Sequence, residues 1–126
     1  MNKDLALKVL TEARTELKTI ALAVATRPTA LARMIGAAVK LADAVKSGGG
    51  LLREDAYRER LAVCDGCPTA RGAGGAERGS GDAPVWCGRP LENRPGQACG
   101  CLIPVKAAMP GEKCPAGKWP EKGGVA

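Results

Sequence analysis

The chain has 126 residues, enough for one ordinary domain or two very small ones, and a formal net charge of +6 at pH 7. It contains no histidine and no phenylalanine, which excludes histidine-based catalysis and histidine metal ligands. A positive charge of this size is compatible with nucleic-acid binding but does not require it.

The N-terminal segment, residues 3–26, is predicted to be an amphipathic helix. Apolar residues recur there every three or four positions and so share one helical face, with charged residues on the other side. These residues are Ala6, Leu10, Ala13, Leu17, Ile20 and Val24. The opening residues alternate in charge, so we expect no secretion signal, and the uncharged run 19–26 is far short of the roughly 20 residues that span a bilayer.

A second helix is predicted from about Thr29 to Lys46, after Pro28 interrupts the first. Its apolar face consists of Leu31, Met34, Ala38, Leu41 and Val45. Thr29 is placed to cap the start of this helix, and the glycines that follow Ser47 end it. A further short helix is predicted over residues 51–63, leading directly into the first cysteine.

Four segments are predicted: two amphipathic helices over 1–47, a glycine linker at 48–50, a short helix with a cysteine-rich module over 51–119, and a tail at 120–126. We expect the first two helices to form a hairpin that docks on a partner protein or self-associates through residues 1–46. The alternative that stays open is a hairpin that packs on the cysteine-rich half of its own chain.

The half of the chain that begins at Cys64 is too poor in apolar side chains to fold through a hydrophobic core alone. It holds 13 of the 17 glycines and eight of the nine prolines. Its buried apolar area cannot offset roughly 1–2 kcal/mol of backbone entropy per ordered residue. We therefore expect cross-links between the cysteines to hold it together. The glycine-rich stretch from Thr69 to Asp82 is predicted to be a mobile loop.

All six cysteines lie in this half and are the candidate metal ligands: Cys64, Cys67, Cys87, Cys99, Cys101 and Cys114. Two residues separate Cys64 from Cys67, a spacing that lets both sulfurs face one metal ion. Because no secretion signal is expected, the cytoplasm is the predicted location, where such clusters favour structural zinc over disulfides. An iron–sulfur cluster and a redox-active dithiol are further alternatives. Which four thiolates bind a first metal, and whether a second metal binds, stays open.

Two sets of residues near the cysteines have a functional and a structural interpretation. The first set is Lys106, Lys113, Lys118 and Trp119, and the second is Arg71, Arg78, Arg89 and Arg94. Both sets could contact nucleic acid, with the tryptophan stacked on a base. We favour the structural interpretation, in which the tryptophan covers the metal site and the arginines lie on a solvated loop.

The cysteine pattern consists of Arg60, Cys64, Cys67, Pro68, Cys87, Cys99, Gly100, Cys101, Lys106, Cys114, Pro115, Lys118 and Trp119. This pattern resembles a small zinc-ribbon module that recurs in tailed bacteriophage and prophage genomes and in some bacterial proteins. The resemblance covers about residues 60–119 and implies metal binding through all six cysteines, without implying a reaction. It departs from the module where a Cys-x2-Cys pair is expected, because eleven residues separate Cys87 from Cys99.

The predicted fold is a small, α plus irregular, metal-stabilised one: an N-terminal helical hairpin followed by a zinc-ribbon-like cysteine-rich module. The leading functional hypothesis is a non-enzymatic structural or interaction protein stabilised by zinc, such as a phage virion accessory component of the head, neck or tail. The alternative is a nucleic-acid-binding zinc-ribbon regulator, and a redox sensor is a third class. No membrane contact is expected, and the predicted location is the host cytoplasm or the virion.

Overall fold

A computed structural model describes residues 3–25, eight residues between 32 and 46, and residues 51–120. Its continuous helices are α1 (Lys3–Ala25), α2 (Glu54–Asp65) and α3 (Ile103–Ala108). Strands β1 (Ala70–Arg71) and β2 (Trp86–Cys87) pair antiparallel, and a 3-10 turn spans Ala73–Gly75. The described part of the chain is therefore small and mainly helical, with one short two-stranded sheet.

The second predicted helix falls mostly outside the described residues. The eight residues that are described there are helical and exposed: Ala32, Ile35, Gly36, Val39, Lys40, Ala42, Asp43 and Lys46. The apolar face predicted for this helix lies wholly outside them, so its packing stays a prediction. Within the described ranges, no helix combines the length and the apolar character needed to cross a membrane.

Helix α1 packs on the cysteine-rich half of its own chain, where it contacts α3 and the 3-10 turn. Its buried face consists of Ala6, Val9, Ala13, Glu16 and Ile20. The helix is confirmed, as is the burial of three predicted face residues, Ala6, Ala13 and Ile20. The buried face is rotated by about one position from the predicted one. Val9 and Glu16 are buried, whereas Leu10 and Leu17 are half-buried. Self-association through residues 1–46 stays a prediction.

The hydrophobic core lies where α1, the start of α2, β2 and α3 meet. Its buried members are Ala6, Val9, Ala13, Ile20, Leu51, Tyr57, Trp86, Leu102, Ala107 and Ala108. Trp86 has an exposed fraction of 0% and is the largest fully buried side chain. The cysteine-rich half therefore contributes its own large apolar residue to the core.

The stretch from Thr69 to Asp82 has more regular structure than predicted. It contains β1 and the 3-10 turn and is otherwise loop, and its mobility stays a prediction. The order comes from a distant partner, because the amide of Gly88 donates to the Thr69 carbonyl and that of Val85 donates to the Arg71 carbonyl. Local composition could not indicate this pairing.

Candidate metal centre

The ends of α2 and β2 and two tight turns position the six thiols. Cys64 lies in the last turn of α2, and the amide of Cys67 donates to its carbonyl at 3.0 Å, which closes the predicted knuckle. Cys87 ends β2, where its amide donates to the Cys101 carbonyl at 2.9 Å and its carbonyl accepts from Gly100 at 2.8 Å. These bonds bring the Cys99–Cys101 turn alongside β2.

Gly100 makes this approach between backbone segments possible. Its φ of +70° lies in the left-handed region, and a Cβ at this position would collide with the backbone of Leu91 and Glu92. Sterics alone therefore require a glycine at the centre of the Cys-Gly-Cys motif, whether or not a metal binds.

Four of the six cysteines line one small cavity. Cys64, Cys67, Cys87 and Cys114 surround a volume of about 20 Å³, together with Trp119 and Ile103 among others. A cavity of this size holds about one water-sized species. The structure thus brings together residues that lie up to 50 positions apart in the sequence.

The other two cysteines, Cys99 and Cys101, form a cluster with Cys87 and Lys106 around the Cys99 sulfur. Lys106 Nζ donates to Cys99 Sγ at 3.2 Å. Hydrogen bonds from the Cys101 and Cys87 thiols, together with Lys106, hold the pKa of Cys99 well below its usual range. The same bonds raise the pKa of Cys87 and Cys101, because these thiols are the donors. Cys99 is therefore the thiol of this cluster that ionises most readily.

Trp119 and Arg60 cover the other side of the centre. Trp119 Nε1 donates to Cys64 Sγ at 3.3 Å, and the Arg60 guanidinium lies 4.6 Å from the centroid of the indole ring. Arg60 is itself buried and donates to the carbonyl of Met109 at 2.9 Å. Arg60 therefore positions the tryptophan, a role that the sequence pattern alone did not indicate.

Burial and local hydrogen bonds act differently on the two knuckle thiols. Burial raises the pKa of Cys64, and the bond from Trp119 only partly offsets it. Burial also acts on Cys67, but hydrogen bonds with the Thr69 hydroxyl, 3.1 Å away, and the Thr69 amide outweigh it and lower the pKa of Cys67. Lys113 and Lys118 are exposed.

None of the six cysteines, all of which lie in the described ranges, forms a disulfide. Within residues 51–120 and the rest of the described chain, no group of three or more histidine, cysteine, aspartate or glutamate side chains is arranged to hold a metal ion as it stands. Four thiols share a cavity, but their sulfurs would have to move closer together to share an ion.

Comparison with protein-family models, with curated proteins and with solved structures finds no match to this chain. The zinc-ribbon resemblance accordingly rests on the spacing of the cysteine motif alone.

Proposed function

We propose that this chain is a non-enzymatic interaction protein whose cysteine-rich half is a zinc-ribbon-like module held by zinc. The observation that carries the proposal is the convergence of Cys64, Cys67, Cys87 and Cys114 on one ion-sized cavity. Structural zinc takes four thiolates in a tetrahedron. These four cysteines would hold the first zinc ion, and the sulfurs of Cys99 and Cys101 lie next to them.

The donor set has the chemistry that zinc prefers. The donors are sulfur atoms, and the indole N–H of Trp119 and the ammonium of Lys106 already donate to two of the six sulfurs. Such donors offset the negative charge that accumulates when thiolates surround a divalent ion. When bound, zinc would supply the cross-link that this glycine-rich and proline-rich half needs to stay folded.

The residues around the centre support a structural rather than a catalytic role. No acidic side chain lines the cavity, and the chain has no histidine. Metal-assisted hydrolysis uses a general acid or base near the metal-bound water. The residues that line this cavity offer no such group.

A role in protein interaction is supported by apolar side chains left exposed in residues 1–46. Leu7, Ile35 and Val39 are exposed by 43%, 55% and 53%. A partner protein or a second copy would bind through this region. Assignment to a phage virion, and to the host cytoplasm before assembly, follows from the resemblance of the cysteine motif and stays part of the proposal.

Elemental analysis of the full chain, purified under reducing conditions, tests the metal. We expect at least about one zinc per chain, with all six thiols titratable after chelation and denaturation. Cys114→Ser should lose this zinc, because Cys114 lines the cavity, whereas Cys101→Ser is the matched control and should retain it. A metal-free protein with oxidised thiols would contradict the proposal.

A further inference from the structure

Four arginines, one on β1 and three in loops of the cysteine-rich half, line a single groove of about 490 Å³. They are Arg71, Arg78, Arg89 and Arg94. The sequence predicted that these arginines lie on a solvated loop, but the structure places all four around the same groove. We propose that this groove binds the phosphate backbone of a nucleic acid, without reading its sequence. The groove is distinct from the cavity between the thiols, although Cys67, Thr69 and Ala70 line both.

The groove is built by backbone contacts that do not involve the thiols. The Gly88 amide donates to the Thr69 carbonyl at 3.0 Å, which places Arg89 next to β1. Gly88 has a φ of +82°, and a Cβ there would lie 2.7 Å from the Ala98 Cβ, so the two segments touch. The Ala98 amide donates to the Arg94 carbonyl at 2.9 Å and closes the turn that carries the fourth arginine.

The four guanidinium groups differ in how many hydrogen bonds and ion pairs they already make within the protein. Arg78 is bound to the Asp65 carboxylate and to the Asp82 carbonyl, so it shapes the groove rather than offering a free charge. Arg71 is half-buried and donates to the Gly75 carbonyl at 3.2 Å, leaving its other donors for a ligand. Arg89 and Arg94 are exposed, and neither side chain has a hydrogen-bond or ion-pair partner within the described ranges. Three arginines are therefore available.

Most of the charged side chains that line the groove are positive. Glu77 is the sole carboxylate among its lining residues, all of which are described. Guanidinium groups present paired N–H donors that match two oxygens of one phosphate. Several unpaired arginines held in one groove are thus suited to a ligand that carries a row of negative charges.

The rest of the lining favours a nucleic-acid backbone over an acidic protein. The uncharged lining residues are Cys67, Pro68, Thr69, Ala70, Gly88 and Ala98. Protein interfaces depend on large apolar or aromatic anchors at their centre, and none lines this groove. The lack of an aromatic ring also removes a platform for stacked bases, so contacts to phosphate remain.

Fluorescence anisotropy of the full chain with a labelled duplex of mixed sequence, about 20 base pairs long, tests the proposal. Three phosphate contacts predict that log affinity falls with log salt at a slope of about −2.7, or about 40-fold between roughly 50 and 200 mM NaCl. The double substitution Arg89→Gln with Arg94→Gln should weaken binding at the lower salt at least about tenfold and make the slope shallower by about 1.8.

Two further variants distinguish the effect of the groove on binding from the effect of the net charge of the protein. Arg53→Gln with Arg58→Gln removes the same charge from α2 and the residue before it, outside the groove, and should change affinity less than about twofold. Glu77→Gln removes the carboxylate of the groove and should tighten binding. The circular dichroism spectrum and the zinc content of each variant are compared with those of the parent protein. A variant that loses duplex binding but keeps both has lost the groove and not the metal centre.

Several results would overturn the proposal. They are the absence of duplex binding at the lower salt, and an equal loss of binding in the Arg53 and Arg58 control. Competition by poly-glutamate as effective as that by unlabelled duplex would reassign the groove to an acidic protein. Competition of equal strength by inorganic pyrophosphate would reassign it to a small phosphate ligand.

Discussion

Helix α1 and the cysteine-rich half are ordered by different means. The helix is 23 residues long, satisfies most of its backbone hydrogen bonds internally and follows a simple apolar period. In residues 66–120, after α2, the strands are two residues long and α3 has six residues, so order depends on turns and distant pairings. Local pattern is thus sufficient for the helix, whereas the cysteine-rich half depends on contacts between residues far apart in the sequence.

Besides their shared apolar core, the two regions are joined by buried hydrogen bonds to one glutamate. Trp86 Nε1 donates to Glu16 Oε2 at 3.1 Å, and the Gly74 amide donates to the same oxygen at 2.8 Å. The tryptophan belongs to the core and the glutamate to the helix face that covers it. Changes at this contact test how far each region depends on the other.

Trp86→Ala should have the largest effect. Removing a fully buried indole leaves a cavity, and such substitutions lower the free energy of unfolding by about 3–5 kcal/mol. Urea unfolding followed by circular dichroism measures the change. Trp86→Phe, which retains most of the ring volume, should be much milder. A Trp86→Ala protein within about 1 kcal/mol of the parent would mean that the two regions do not share this core.

Glu16→Ala should lower the free energy of unfolding by about 1–3 kcal/mol, because it leaves the Trp86 indole and the Gly74 amide without their acceptor. Glu12→Ala, one turn earlier and exposed, is the matched control and should stay within about 0.5 kcal/mol. In a double-mutant cycle with Trp86→Phe, the two changes should be non-additive. Full additivity would argue against the hydrogen bond.

Stability should also fall at high pH through Tyr57, the chain's single tyrosine. Burial, then the nearby Glu12 carboxylate, raise its pKa from 10.0 to about 12. Because the unfolded chain loses this proton first, its contribution is complete below pH 10 and is lost as the pH rises through about 12. Tyrosinate absorbance of the folded protein should show a midpoint near 12. A midpoint at the ordinary value would place Tyr57 in solvent.

Arg58→Ala should have the smallest effect. Its pair with Glu54, one helical turn away, joins two exposed side chains at 2.8 Å. Exposed pairs at this spacing contribute about 0.3–0.5 kcal/mol, and salt screens them. The same urea experiment at low and high salt should therefore show a small difference that shrinks with salt. A loss above about 1 kcal/mol would indicate that Arg58 has another role.

The sequence predicted the helix well but not its exact burial. Periodicity located α1 and the buried Ala6, Ala13 and Ile20, whereas Glu16 was assigned to the charged side. A glutamate is normally exposed, and its burial here depends on a tryptophan 70 residues later. No local signal carries that information.

The sequence identified the six cysteines as the candidate ligands but did not indicate how they would be grouped in space. The Cys64–Cys67 knuckle follows from spacing, and the structure closes it as expected. The placement of Cys87 and Cys114 on the same cavity, and of Lys106 against Cys99, depends on how β2 and α3 pack. The arginine groove was missed for the same reason, because its members come from β1 and from loops that look independent along the chain.

The bond between Glu16 and Trp86 also has a consequence during synthesis of the protein. At roughly 5–20 residues per second, the ribosome adds the tryptophan about 4–14 s after the glutamate. Helix α1 is therefore made early and acquires its covering surface late. While these 70 residues are added, the apolar face of α1, which includes Ala6, Val9 and Ala13, lacks its covering surface.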